Sequence, residues 1–289
     1  MEPIKRTRQV FNDLELETKF QQKGYVRVPF LSEQEADAAI RFYEKEQNDL
    51  GVGYHSTLFS HLTGYRSRVD TFLKNLTAAG CKKYLKAHKQ VVGTYLIKEP
   101  GEKSMVSLHA DWCLTDESQY QSIIVWLCLM DYVGPDNGAM YMLPRSHKYT
   151  DRMRGQGLPF EYKDFNMQIF KAGQELVEAR KGEAVIFDLS VLHYSNPNFS
   201  ATPRLAFNLG VIPEEAPVLH YCNYKPMPAD EVEVYEVGNE FYSNYIVGEK
   251  PPYAKKIATM RYRLQGATRI ELEEMYLRKS VEKNEPVSQ

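Results

Sequence analysis

The chain has 289 residues, 43% of them hydrophobic and 26% charged, and a formal net charge of −2. A chain of this kind can bury one large core without needing a second full domain. So slight a net charge supplies no field for nucleic acid or an anionic membrane surface, and the short basic pairs Lys82-Lys83 and Lys255-Lys256 read as solvated surface. The longest apolar run, Ile123 to Met130, is far below the roughly 18 to 20 residues of a membrane helix. Met1-Glu-Pro-Ile4 opens without an apolar signal core, so a cytoplasmic location is expected. Cys81, Cys113, Cys128 and Cys222 are scattered with no Cys-x-x-Cys pair, which suits reduced core thiols rather than a disulfide or zinc framework.

In chain order, Ser32-Glu-Gln-Glu35 is a capping box, and Ala36, Ala39, Ile40 and Tyr43 follow at helical spacing, predicting a helix over about 33–47. Phe72, Leu73, Leu76, Ala79 and Leu85 predict another over 70–88. From Val91 to Val211 short strands are broken by Pro-Gly, Asp-Asn-Gly and Asn-Pro turns, the pattern of a double-sheet jelly roll. The fold expected is therefore mainly β with flanking helices, in one domain over 1–289. Its parts are a helical 1–90, a jelly-roll core over 91–213 and a C-terminal extension over 214–289. Residues 148–180 are too long a stretch for a plain connection and are expected to form a lid. Residues 254–278 read as helical, and 280–289 as a frayed tail.

Met105, Ser107, His109 and Asp111 alternate with Val106, Leu108, Ala110 and Trp112, which predicts a strand carrying His109 and Asp111 on one side. A His-x-Asp pair alone arises by chance in roughly one such sequence in four, so its context must carry the reading. His193 closes the β-rich run Glu183-Ala-Val-Ile-Phe-Asp-Leu-Ser-Val-Leu-His193, a strand leading into a turn. Two neutral imidazoles and one carboxylate on one face of a metal leave its other positions open, which suits Fe(II) and oxygen chemistry. In Arg204-Leu-Ala-Phe-Asn-Leu-Gly210, Arg204 shares the small, polar face with Ala206, Asn208 and Gly210. An inward arginine wants a carboxylate, and a dicarboxylic co-substrate would supply one.

Leu108-His-Ala-Asp-Trp112, Ile123 to Asp131, Asp136-Asn-Gly138, Leu143-Pro-Arg-Ser-His147, Lys181-Gly-Glu183, Leu192-His-Tyr-Ser195, Asn198 and Arg204 resemble, in this order, the phytanoyl-CoA dioxygenase family of Fe(II)/2-oxoglutarate-dependent oxygenases. Phe20 to Glu35 is similar to that family's N-terminal start. The resemblance implies a double-stranded β-helix, cupin-like core, with Fe(II) as cofactor and 2-oxoglutarate and O2 as co-substrates. It implies that His109, Asp111 and His193 hold the metal and act in catalysis, that Arg204 clamps the distal carboxylate of 2-oxoglutarate, and that Ser195 and Trp126 border it. Lys98 and Tyr95 are candidates for the co-substrate's proximal end. Arg145 stands where relatives commonly have glycine, so that turn is expected to differ locally.

The activity implied is hydroxylation of an unactivated C–H bond in a small organic metabolite of a natural-product or specialised pathway, with release of succinate and CO2. Desaturation, epoxidation and ring formation stay open. Halogenating relatives replace the carboxylate ligand by a small residue, so Asp111 argues against halogenation. A non-enzymatic metal-binding jelly roll and a zinc hydrolase are the competing classes. No nucleic-acid or membrane partner is expected, and the oligomeric state is open. Tyr54, Tyr65, Tyr141 and the tyrosines of 235–253 are candidate pocket linings, while Cys113 and His147 read as packing and turn residues.

Overall fold

The structure, a computed structural model, describes residues 8–46, 52–150, 153–158, 162, 167–224, 231–245, 248–249, 254–262, 272–274 and 276. Helix α1 (Leu14–Lys23) is capped by Asp13, whose carboxylate accepts from the Leu16 amide, and stops at Gly24 in the left-handed region. It leads into β1 (Tyr25–Pro29), and α2 (Glu33–Glu46) follows on the expected capping box. There the Ser32 amide donates to the Glu35 carboxylate at 2.8 Å and the Glu35 amide to Ser32 Oγ at 3.3 Å. Strand β2 (Tyr54–Ser56), α3 (Thr63–Tyr84) and β3 (His88–Lys98) complete the first third. Helix α3 begins seven residues before the expected 70 and ends before 88, because Tyr65 and Val69 extend its buried stripe backwards.

From β3 onward the chain alternates between two antiparallel sheets. The strands are β4 (Val106–His109), β5 (Ile123–Cys128), β6 (Met140–Met142), β7 (Glu175–Val177), β8 (Glu183–Asp188), β9 (His193–Ser195) and β10 (Arg204–Pro213), with α4 (Met167–Gly173) before β7. The larger sheet runs β1-β8-β5-β10-β3-β2 and the smaller β4-β9-β6-β7. This interleaving is the double-stranded β-helix expected from the turn pattern. Strand alternation divides the larger sheet between two cores. Tyr95, Ile97, Val125, Leu205, Phe207 and Leu209 point to the helices, packing with Ala39, Val69 and Leu73. Leu96, Ile124, Trp126, Val185 and Ala206 point inward, against Met140, Met142 and Val177 of the smaller sheet.

Strands β11 (Leu219–Cys222), β12 (Glu231–Glu236) and β13 (Lys255–Arg261) form a third sheet in that order, and α5 (Phe241–Asn244) lies between the last two. The expected helix over 254–278 is thus corrected at its start. Residues 255–261 are extended because β12 offers them a ladder, and tertiary pairing overrides local propensity. Residues 272–274 and 276 are helical, and the tail over 280–289 lies outside the described residues.

The stretch 148–180 is largely built into the molecule. Residues 175–177 join the smaller sheet as β7, Ala179 bridges to Val133, and Gln156 pairs with β11, its amide donating to Tyr221 O and its carbonyl accepting from the Asn223 amide. Gly155 and Gly157 permit this approach, since a Cβ would lie 2.0 Å from Tyr221 O or 2.1 Å from Asn223 O. Of the expected lid, residues 151–152, 159–161 and 163–166 lie outside the described residues.

Arg145 adopts the left-handed conformation that glycine favours, at φ 74°, with its amide donating to Lys23 O at 2.8 Å. A left-handed non-glycine residue costs about 1 kcal/mol or more, offset in part by the greater unfolded-state freedom of glycine. Arg145→Gly should therefore stabilise the protein by up to about 1 kcal/mol, a rise of about 1–3 °C in Tm by calorimetry. An unchanged or lower Tm would show that the arginine side chain repays the strain.

Candidate metal centre and co-substrate pocket

Neighbouring strands of the smaller sheet bring the two histidines together. His109 ends β4 and His193 begins β9, and the two are register partners with ring centroids 4.1 Å apart. His109 Nδ1 lies 2.8 Å from Ser107 O and His193 Nδ1 2.9 Å from Val191 O. A carbonyl can only accept, so each Nδ1 carries the proton and each Nε2 presents a lone pair, the tautomer a metal ligand needs.

Asp111 reaches the same place by a route the alternation did not describe. Strand β4 ends at His109, and a register shift between Val106 and His109 breaks the period. Asp111 sits in the following loop, its amide donating to Leu189 O at 2.9 Å and its carbonyl accepting from Arg154 Nε at 2.7 Å. Its Oδ1 lies 3.5 Å from His109 Nε2, and its buried Oδ2 has no hydrogen-bond partner. Among the described residues these three side chains are the one set of three or more whose donor atoms could hold a metal ion, all lying within 4.8 Å of one another.

The electrostatics keep the set ready to bind. Burial pushes His193 down to about 4, helped by the neighbouring His109, so its ring is neutral at pH 7. Burial also opposes charge on His109 and Asp111, but their mutual attraction outweighs it, raising the histidine and lowering the carboxyl. Two imidazoles, one ionised carboxylate and an orphaned carboxylate oxygen fit a hard-to-borderline divalent ion with open positions.

Arg204 opens β10, directly across from Lys98 on β3, and is 2% exposed. Its guanidinium lies 5.6 Å from the centre of the Trp126 ring; among the described residues no carboxylate pairs with it, and its Nε has no hydrogen-bond partner. Burial lowers it to about 10. Ser195, buried, follows His193 by two residues on the same face of β9.

Lys98 and Tyr95 are not where a co-substrate's metal-facing end would place them. Lys98 is fully buried at the Arg204 end, its Nζ donating to the carbonyls of Ser104 and, at 2.8 Å, of Asn196. Burial and the nearby Arg204 push it down to about 6. Tyr95 points to the opposite face of the sheet, where it donates to Ala39 O at 2.8 Å and packs on Phe207. An odd and an even position on one strand cannot serve the same cavity.

A cavity of about 410 Å³ adjoins His109 and Asp111. Its walls are mostly apolar and aromatic, with Tyr54, Phe59, Trp112, Tyr162, Tyr242 and Tyr262 prominent. Of the tyrosines expected to line it, Tyr54 and Tyr242 do, whereas Tyr65 packs under the helices and Tyr141 stacks on Tyr194. Cys113 packs against β11 and β12 as expected. Sequence reasoning missed Arg154, whose signal was the Gly-x-Gly of Gly155 and Gly157 marking close backbone approach. No helix among the described residues is long and apolar enough to cross a membrane.

A double-stranded β-helix carrying this His/Asp/His donor set is the fold of the iron- and 2-oxoglutarate-dependent oxygenases. The chain belongs to the phytanoyl-CoA dioxygenase (PhyH) family, whose model matches residues 20–206, and iron and 2-oxoglutarate are the cofactors of that family. Phytanoyl-CoA dioxygenase domain-containing protein 1 homolog of Dictyostelium discoideum is 28% identical over 137 residues, which is 44% of this chain and 47% of the relative, so the match spans about half of that protein. The fold is similar to the epimerase SnoN in complex with Fe3+, α-ketoglutarate and nogalamycin RO (TM-score 0.52, 19% identity, 71% of this chain and 86% of that one). It is also similar to HygX of Streptomyces hygroscopicus with nickel, 2-oxoglutarate and hygromycin B bound (TM-score 0.52, 16% identity, 70% and 88%).

Replacing His109, Asp111 or His193 singly by Ala should weaken Co(II) binding by more than the roughly 10- to 100-fold that an outer partner costs. The metal-free Tm should stay close to wild type, since the three residues border a cavity instead of stapling the sheets. A variant that keeps wild-type affinity in a cobalt titration is not missing a ligand.

Proposed function

We propose that the protein is an Fe(II)- and 2-oxoglutarate-dependent oxygenase that hydroxylates a C–H bond of a small organic metabolite, with release of succinate and CO2. The observation that carries this is the buried Arg204 guanidinium, paired with no carboxylate among the described residues, on the same sheet face as Trp126 and Asn208. Leaving a buried cation unpaired costs several kcal/mol, so the fold would not keep it without an anion to bind. A structural metal site or a zinc hydrolase has no use for it.

When bound, iron together with 2-oxoglutarate and O2 supplies the oxidant that removes hydrogen from carbon. His109, Asp111 and His193 would hold the ion on one face, with the Nδ1 bonds to Ser107 O and Val191 O fixing both ring planes. Arg204 would take the far carboxylate of 2-oxoglutarate in a two-pronged pair, with Trp126 beneath the guanidinium and Ser195 bordering the path between the ends. Lys98, largely neutral at pH 7, would hold the Ser104 and Asn196 carbonyls in place at the Arg204 end. The cavity walls would fix which C–H bond faces the metal and exclude water from it.

The walls favour a neutral, largely apolar substrate over an acyl-CoA. Beyond His109 and Asp111, the charged side chain in the described wall is Arg154, and Glu117 neutralises it. A CoA group would need cations for its phosphates. The epimerase SnoN and the carbocyclase SnoK of nogalamycin biosynthesis, the latter similar in fold (TM-score 0.50, 20% identity, 71% of this chain and 86% of that one), support natural-product chemistry and keep desaturation or ring formation as the second reading. Outcome on such a scaffold depends on where a second C–H lies.

Two measurements test this. Losing one partner of a buried charge pair costs about 3 to 5 kcal/mol, so Arg204→Ala should weaken 2-oxoglutarate by roughly two to three orders of magnitude, with metal affinity little changed. Arg204→Lys should recover only part, since an ammonium keeps the charge without the planar fork. Calorimetry with a redox-inert metal reads both, and an unchanged affinity in Arg204→Ala defeats the assignment. A mass-spectrometric metabolite screen should then find succinate formed in step with a product heavier by one oxygen, whereas a product lighter by two hydrogens would favour the second reading.

A further inference from the structure

Asp111 lies beyond the end of β4, so strand pairing does not hold it. Its loop is instead tied to the wall segment around residue 154. Arg154 Nε donates to Asp111 O at 2.7 Å, while Nη2 donates to both carboxylate oxygens of Glu117, at 3.0 and 2.9 Å. The backbones pair as well, with the Cys113 amide donating to Arg154 O at 3.0 Å and the Arg154 amide to Cys113 Sγ at 3.3 Å. The side chains of Arg154 and Glu117 are 8% and 0% exposed, and Arg154 also lines the cavity.

Burying a charge pair costs several kcal/mol per ion before the partners repay it, and an apolar pair of similar volume often packs as well or better. What an apolar pair could not do is grip a backbone carbonyl. Here the gripped carbonyl belongs to the residue whose carboxylate completes the donor set, and the gripping side chain forms the wall against which a substrate would lie. The other backbone polar group of the same residue is fixed too, the Asp111 amide donating to Leu189 O.

We propose that Arg154 is a positioning residue: held by Glu117, it sets the orientation of the Asp111 carboxylate and couples the substrate-cavity wall to the metal centre. The proposal rests on the metal-centre reading. Arg154 touches no reacting atom, so its effect reaches the metal only through Asp111.

The test is Co(II) titration of the full-length chain, read by affinity and by the visible absorption of the bound ion. Arg154→Met, which keeps the length of the side chain and deletes the donors, should weaken Co(II) by about 10- to 100-fold and alter the cobalt spectrum. Glu117→Gln should move both readings the same way, and Arg154→Lys should lie between Arg154→Met and wild type. Leu73→Ala, a core change on α3 remote from the site, should lower Tm and move neither reading. If Arg154→Met folds and binds Co(II) with wild-type affinity and spectrum, the proposal is overturned while the metal centre stands. If Arg154→Met does not fold, Glu117→Gln carries the test with the same two outcomes. A wild-type chain that binds no Co(II) overturns the metal-centre reading and this proposal with it.

Discussion

The pairing of β4 with β9 is the constraint on which the site depends. It makes His109 and His193 register partners, and strand geometry then puts both rings on one side of the smaller sheet. A slip of one residue would turn one histidine to the opposite face and dissolve the donor set. The register is secured from outside the pair: Met142 of β6 is the partner of His193, and Met140 of Ser195, so β9 is held on both edges. The larger sheet sets the other end of the pocket by the same rule, since Lys98, Trp126 and Arg204 all take inward positions on adjacent strands.

The buried charges sort by what answers them. Arg154 has Glu117, and its guanidinium is held charged despite burial because acidic neighbours outweigh the desolvation. Lys98 has carbonyls, which accept its N–H bonds, and burial beside Arg204 pushes it down to about 6 so that little charge remains to be answered. Arg204 has neither. A protein interior tolerates a satisfied cation as structure, but an unsatisfied one is a cost retained for a ligand. Among these three groups only Arg204 therefore argues for a bound anion.

Much of this was legible in the sequence because it rests on short periods. The face shared by Arg204, Ala206, Asn208 and Gly210 was read from alternation and is the face the sheet turns inward. The capping box at Ser32 fixed a helix start to the residue. What failed were features set by tertiary pairing. The register shift before His109 is invisible in the alternation of Met105 to Trp112, and that alternation put Asp111 on the right side for the wrong reason. Tyr95 lies on the helix-facing side of β3, because three residues along a strand separate it from the face that carries Lys98. The stretch 255–261 became a strand only because β12 lies beside it.

The division of labour within the chain follows from where each wall originates. Donor set and arginine sit on or beside the eight strands from β3 to β10, whose registers are mutually locked. The cavity wall draws on those strands, through Val92, Thr94, Leu96, Ile124, Asn208 and Gly210, and also on additions to the core: Tyr54 and Phe59 before it, Leu158 and Tyr162 from the long stretch between β6 and β7, and Tyr242 and Tyr262 after it. Replacing residues of the additions changes shape and polarity around the substrate without disturbing the strand registers. Arg154 is the exception, a residue of an added segment whose side chain reaches the backbone of the donor set. A change in that segment can therefore alter the metal centre as well as the fit of the substrate, and the two effects have to be read separately in any variant made there.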